Sequence, residues 1–428
     1  MKTSLKRYFT IGIGFAFLLF SCQKEEKQNE LIVNEQAIAR LDSTLEAYVN
    51  SGNVAGISAL IFEKDQEVYF NAFGFADREN QIPMDRNTIV KIYSMTKPIT
   101  GTALMTLWEE GKFQLDDPLE NYAPEFANMK VYQGLDDQGK MIFGDAERPI
   151  SIRDITRHTA GFPNRNDIPG LSELMAEKDA RSFENPLTTM AEKMGSTPLW
   201  FQPGTQWEYG LSVDVQAFLV ERISGKPYGE YVREKVLDPL GMAETRYFLP
   251  EADRGRFAAA YQRTGEGQLD RIPDSTANVF NFNQWPLTPG GFGLTSTLDD
   301  YMTFARMLAR KGEINGTRIL NPETIALMAT NHLPDSVTER SWLPSKGRVG
   351  FGIDFAVRTD PPKTAEEMNG VVGEFFWDGA ASTLFWVDPK NELVAGLFVQ
   401  LFPYDGISLH KNFRDAVYGK YVPVAKTQ

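Results

Sequence analysis

At 428 residues, 42 % hydrophobic and 24 % charged, the chain has the composition of a globular protein able to bury a large core as one domain or two. A net charge of −13, with no Lys/Arg run longer than two, argues against nucleic acid as a partner. Three histidines (His158, His332 and His410) and a single cysteine come close to excluding a His/Cys metal site, so no metal is expected.

The chain opens with Lys2, Lys6 and Arg7, then an apolar run from Tyr8 to Phe20, then Ser21 and Cys22. A basic start, a short apolar stretch and a small residue before the cut predict a signal peptide over residues 1–21. The apolar run is short for a bilayer span. Leu19-Phe20-Ser21-Cys22 resembles a bacterial lipobox, in which the cysteine becomes the lipidated first residue, and the only cysteine of the chain falls at that place. The expectation is a lipid anchor at Cys22, holding the protein to the outer membrane of a bacterial cell envelope, on its periplasmic or outer surface. Gln23-Lys24-Glu25-Glu26-Lys27 looks like the short acidic signal of surface-exported lipoproteins. Residues 22–33 are polar and read as a flexible tether; residues 34–428 read as the folded domain.

From Asn34, Ile38, Leu41, Leu45, Tyr48 and Val49 recur at helical spacing, and Gly52 ends the pattern. Ile57–Phe62 and Val68–Phe75 read as two strands of a hairpin turning at Lys64-Asp65-Gln66. Thr88 to Tyr93 is a short apolar approach to Ser94-Met95-Thr96-Lys97. Pro98 marks a helix start, because proline is tolerated in a first turn. That helix buries Ile99, Ala103, Leu104, Leu107 and Trp108 and stops at Gly111. Residues from about 112 to 290 hold short helical patterns and Pro/Gly-rich loops with few strand signals, and read as an α-rich insert; a clear helix covers Val213 to Ser224. Thr297 caps a further helix with Asp299 and Asp300 in its first turn. Strands return at Phe351–Val357, Val371–Trp377, Thr383–Val387 and Leu393–Gln400, with a turn at Asp388-Pro389-Lys390-Asn391, and a last helix carries Leu409, Phe413 and Val417. The fold class is therefore α/β (α+β): a sheet flanked by helices, with an inserted α-rich lobe.

Ser94 and Lys97 lie three apart on a helical turn, which brings an amine within reach of a hydroxyl. A base that takes the hydroxyl proton makes a usable nucleophile, and the positive end of the helix dipole favours the alkoxide over a charged lysine. The pattern alone is weak. Two further segments strengthen it: Trp207-Glu208-Tyr209-Gly210-Leu211-Ser212, and Trp377-Asp378-Gly379-Ala380 at a strand end. In this order and spacing they resemble the serine β-lactamase and penicillin-binding superfamily, in its class C-like branch and closest to the family VIII carboxylesterases. The resemblance extends to the His158–Gly161 loop, Pro239–Thr245, Gly290–Thr297 and Phe385–Lys390.

The resemblance implies a β-lactamase/transpeptidase-like antiparallel sheet and an acyl-enzyme on Ser94, with Lys97 and Tyr209 sharing the proton. A close cation is expected to lower the Tyr209 pKa towards a usable base, and which of the two is the base in each half-reaction stays open. It also implies an oxyanion hole from the backbone N–H groups of Ser94 and Ala380, substrate contacts at Trp377, Asp378 and Gly379, and no cofactor. Two departures matter. Leu211 stands where class C enzymes carry an amide, with Ser212 or Asp214 as substitutes for its polar contact. Trp377 and Asp378 stand where those enzymes begin with a carboxylate-binding lysine. An aromatic and an anion in place of a cation disfavour anionic β-lactams, so the expected activity is that of a carboxylesterase on small neutral esters. A β-lactamase or a D-amino-acid peptidase acting on cell-wall-like substrates is the alternative, and a non-catalytic binding module is less favoured. His158 reads as a local structural hydrogen-bonding residue, and no Gly-x-Ser-x-Gly is present. Trp207, Phe292, Phe375, Phe376 and Tyr404 are candidates for the pocket wall, with plain core packing as the other reading of each.

Overall fold

The computed structural model describes residues 31–338, 343–420 and 422. The expected signal peptide, Cys22 and most of the expected tether lie outside these residues. The end of that tether is docked: the N–H groups of Ile32 and Val33 donate to the Glu63 carboxylate at 2.9 and 3.0 Å. Among the described residues no helix is long and apolar enough to cross a membrane.

Helix α1 (Glu35–Asn50) starts where Asn34 accepts a hydrogen bond from Ala37 N–H, and it buries Ala37, Leu41, Leu45 and Tyr48. The hairpin follows as strands β1 (Gly56–Glu63) and β2 (Gln66–Asp77), with Lys64 and Asp65 both at positive φ in the turn. A short β3 (Ile82–Pro83) extends β2. The chain then leaves this sheet and returns as β4 (Val349–Phe351), β5 (Ala356–Arg358), β6 (Phe375–Asp378), β7 (Leu384–Asp388) and β8 (Leu393–Phe398). The sheet order is β4-β5-β6-β7-β8-β1-β2-β3, antiparallel throughout, so the first and last strands pair in its middle, Ser58 opposite Phe398.

Strands β6, β7 and β8 are buried along their whole length because helices cover both faces. On one face Arg414 of α5 (Leu409–Tyr418) lies over the rings of Phe376 and Trp386, a cross-strand pair. On the other face, Tyr301 of α4 (Leu298–Ala309) packs edge-on against Phe385, the partner of Trp377. Period-two alternation thus sends Trp377 to the opposite face from Phe376. Two strand readings change. Residues 351–357 do not form one strand: Asp354 takes φ +60 and folds the segment back into the β4–β5 pair. The insert also contains strand structure, an exposed hairpin of Lys130–Leu135 with Met141–Asp145 and a small sheet that includes Tyr261–Arg263 and Leu269–Arg271.

Candidate active site

Helix α2 (Thr96–Glu109) is preceded by a 3-10 turn, Tyr93–Met95, which presents half-buried Ser94. Tyr93 holds φ +46, a costly conformation for a non-glycine residue, and Tyr301 fixes the turn by donating to Met95 O at 2.8 Å. Just upstream, Val90–Lys91 pairs with Thr295–Ser296, and Ile92 N–H donates to Leu294 O at 3.1 Å.

The Lys97 ammonium lies 3.0 Å from Ser94 Oγ and donates to Gly291 O at 2.6 Å. It also sits 4.6 Å from the centre of the Tyr209 ring. Burial pushes the Lys97 pKa down to about 8, opposed by the fields of Asp214 and Asp354. Asp214, in the first turn of α3 (Ser212–Ser224), accepts from Gly291 N–H at 2.8 Å. Gly291 therefore links Asp214 on its N–H side to Lys97 on its carbonyl side. Leu211 is buried, and of the two substitutes considered for the missing amide, Asp214 reaches this segment. Asp354 accepts from Gln216 at 3.1 Å, and burial holds its carboxyl well above the usual range.

Tyr209 hydrogen-bonds Ser94, and its hydroxyl accepts from Trp377 Nε1 at 3.1 Å. Burial raises the Tyr209 pKa, with the Asp378 charge adding to it, against the expectation that a close cation would lower it. The physical reason is placement: Lys97 faces the ring, while desolvation acts on the hydroxyl. His158 is fully buried at φ +62; its Nδ1 accepts from Gly210 N–H at 3.4 Å, and its ring packs 4.9 Å from that of Tyr209. Burial and Lys97 keep it neutral.

The third motif is placed differently from its expected role. Trp377 is 1 % exposed and Asp378 4 %, so their side chains meet protein rather than line an open surface. Trp377 contacts Tyr209. Asp378 pairs with the buried ammonium of Lys346 and accepts from Tyr404 OH at 2.7 Å; Tyr404 in turn accepts from Lys346 at 2.8 Å. The premise of an uncompensated anion beside Trp377 is corrected: a lysine from the residues before β4 neutralises it and lies 5.0 Å from the Trp377 ring centre. Gly379 is set by close approach, since a Cβ there would meet Ile92 O at 2.6 Å, and this contact brings exposed Ala380 to the nucleophile turn.

Two cavities meet at Phe183 and Phe292. One, of about 560 Å³, is lined by Phe162, Asn164, Arg181 and Leu211, and Asn164 Nδ2 donates to Tyr209 O at 2.8 Å. The other, of about 300 Å³, is lined by Lys91, Tyr93, Phe280 and Phe402. Of the five pocket-wall candidates, Phe292 lines both cavities. Trp207, Phe375 and Phe376 are core residues, and Tyr404 holds the Lys346–Asp378 pair. A groove of about 820 Å³ between α1 and α5 contains none of these residues. Among the described residues no three His, Cys, Asp or Glu side chains are grouped to hold a metal. Lys346 and Arg181 escaped the sequence reading because they lie far along the chain from Ser94, and Lys91, three residues before it, because it stands on a short strand rather than on the helix whose spacing singles out Lys97.

The family described as Beta-lactamase matches residues 41–419. A protein of Mycobacterium tuberculosis is 32 % identical over 359 residues, 83 % of this chain and 88 % of that one. The lovastatin esterase of Penicillium rubens is 28 % identical over 406 residues, 89 % of this chain and 98 % of its own. Among solved structures, EstCE1, a hydrolase with promiscuous acyltransferase activity, superposes with TM-score 0.73 at 27 % identity, over 90 % of this chain and 99 % of that one.

Proposed function

Because the chain belongs to the beta-lactamase family, we propose that it is a serine carboxylesterase working through an acyl-enzyme on Ser94. At the coarser level it is a hydrolase or acyl-transferring enzyme. The observation that carries the finer reading is the 3.0 Å contact between Ser94 Oγ and a lysine whose burial brings its pKa to about 8. A neutral Lys97 takes the Ser94 proton as Oγ attacks the ester carbonyl. The oxyanion falls to the backbone N–H groups of Ser94 and Ala380. Tyr209, kept protonated by burial, delivers its proton to the leaving alkoxide and is reprotonated from Lys97. Water then repeats the sequence in reverse. This assigns the base to Lys97 and the acid to Tyr209.

The esterase relative supports esters as the substrate class. The electrostatic case against β-lactams is weaker than the motif suggested, because Lys346 cancels the charge of Asp378. Rates on p-nitrophenyl butyrate and nitrocefin, with Ser94→Ala as control, test the reading. A nitrocefin rate well above the ester rate overturns it, and D-Ala-peptide hydrolysis without ester hydrolysis turns it to a peptidase. A second reading, transfer of the acyl group to an alcohol, is favoured by the two cavities meeting at Phe292 and by the promiscuous transfer activity of EstCE1. Partition of the acyl-enzyme between water and an added alcohol distinguishes the two.

A further inference from the structure

The smaller cavity contains a group that the mechanism above does not use. Lys91 sits three residues before the nucleophile and is 4 % exposed. Its ammonium donates to Asn278 Oδ1 at 2.6 Å and lies 4.5 Å from the Phe257 ring centre. An ammonium has three donors, and a buried one is normally paired with an anion. Among the described residues no carboxylate lies within ion-pair distance of Lys91. The acid whose field reaches it, Asp274, is bridged to Arg271 at 3.0 Å. Burial accordingly lowers the Lys91 pKa to about 7. The rest of the cavity wall is mostly apolar, with Tyr93, Phe183, Phe280, Phe292, Leu294 and Phe402; its other polar side chains are Thr276 and Asn281, whose amide donates to Gly293 O at 2.8 Å. A mostly apolar hollow of this size with a few polar groups in its wall, here Lys91, Thr276 and Asn281, is the usual form of a small-molecule subsite.

We propose that this cavity is the acyl subsite and that Lys91 receives a carboxylate at the far end of the acyl chain, so that the preferred substrates are half-esters of short dicarboxylic acids. The proposal rests on the esterase reading. Tyr93 walls the cavity and directly precedes Ser94, so an acyl group bound to Ser94 has this hollow beside it. The larger cavity is left for the alcohol, which must leave and be replaced by water. The distal carboxylate supplies the missing anion, and its apolar chain covers the aromatic wall.

Mono-p-nitrophenyl adipate and p-nitrophenyl hexanoate have acyl chains of equal length and differ in a terminal carboxylate against a methyl. The wild type is expected to favour the adipate in kcat/KM. Lys91→Met is expected to lower the adipate-to-hexanoate ratio by about tenfold or more. Lys91→Gln serves if the Met variant fails to fold. A wild-type preference for hexanoate with a ratio unmoved by either variant overturns the proposal. A binding arm separates this outcome from failure of the esterase reading. Calorimetric titration of folded Ser94→Ala with adipate should show binding that Lys91→Met removes, and no binding there sinks the subsite even if esters are hydrolysed. Turnover of neither ester, without fluorophosphonate labelling of Ser94, sinks the esterase reading instead.

Discussion

The ammonium of Lys346 lies against the carboxylate of Asp378 behind Trp377, and the Tyr404 hydroxyl bonds to both. Both charged side chains are nearly inaccessible, at 2 % and 6 % exposure, so neither charge can be solvated alone. Removing one partner strands the other. Lys346→Met is expected to destabilise the fold by ~3–5 kcal/mol, and Lys346→Met with Asp378→Asn to recover most of that. Urea unfolding of the single and double variants measures the coupling, and purely additive losses would show that the pair is not a unit.

Lys97 sets the pH dependence. Its pKa falls from an ordinary 10.5 to about 8, and the base must be neutral. The kcat/KM is therefore expected to rise through a single step near pH 8 and level off above it. Between 8 and 10.5 the unfolded chain holds a proton that the folded chain has shed, so Lys97 makes stability increase with pH across that window. Lys97→Arg, which cannot deprotonate, should lose at least ~10²-fold in activity at every pH. A flat pH–rate profile would remove Lys97 from the role of base.

Much of this was legible in the chain, for identifiable reasons. The β1–β2 hairpin, α1 and the helix after Thr297 follow from apolar spacing and caps, which are local signals. The hairpin of Lys130–Leu135 with Met141–Asp145 was not legible, because it is largely exposed and shows no alternation. The split at Asp354 was hidden in an apolar run that looks like one strand. Ser94 and Lys97 are neighbours through helix geometry. Lys346 and Asp214 meet their partners only through tertiary folding, so the sequence displayed the anion at 378 without its cation. The motif order pointed to Tyr209, but not to its raised pKa, which depends on surrounding burial.

Asp214 reaches Lys97 through Gly291. Its charge is among those that raise the Lys97 pKa against burial. Asp214→Asn keeps an oxygen for the Gly291 N–H and removes the charge. The acidic limb of the pH–rate profile should then move to lower pH, with the fold intact by circular dichroism. An unmoved limb would mean that Asp214 is already protonated in the free enzyme.

The N-terminal anchor is a separate proposal, resting on Leu19-Phe20-Ser21-Cys22. Metabolic labelling with a fatty acid should tag the wild type, and Cys22→Ser should abolish the label and move the protein from membrane to soluble fractions. Labelling that survives Cys22→Ser rules out this site. Release by protease shaving of intact cells separates a surface orientation from a periplasmic one.

Trp377 contributes through Tyr209. Its indole N–H donates to the phenol at 3.1 Å while its ring packs 5.2 Å from the Tyr209 ring and 5.3 Å from that of Phe351. The hydroxyl accepts this bond, which leaves its proton directed elsewhere, towards Ser94 or a leaving alkoxide. Trp377→Phe keeps an aromatic ring in the stack and deletes the donor. The phenol then keeps its bond to Ser94 but loses the donor that orients it, and kcat should fall by about tenfold, the effect of one lost hydrogen bond. KM should change little, because the buried indole does not face the cavities. Tyr209→Phe removes the proton carrier itself and should cost ~10²–10⁴-fold. In the double variant the Trp377 effect should vanish, since its target is gone. If Trp377→Phe instead raised KM and left kcat unchanged, the indole would be a substrate contact, as the motif resemblance first implied.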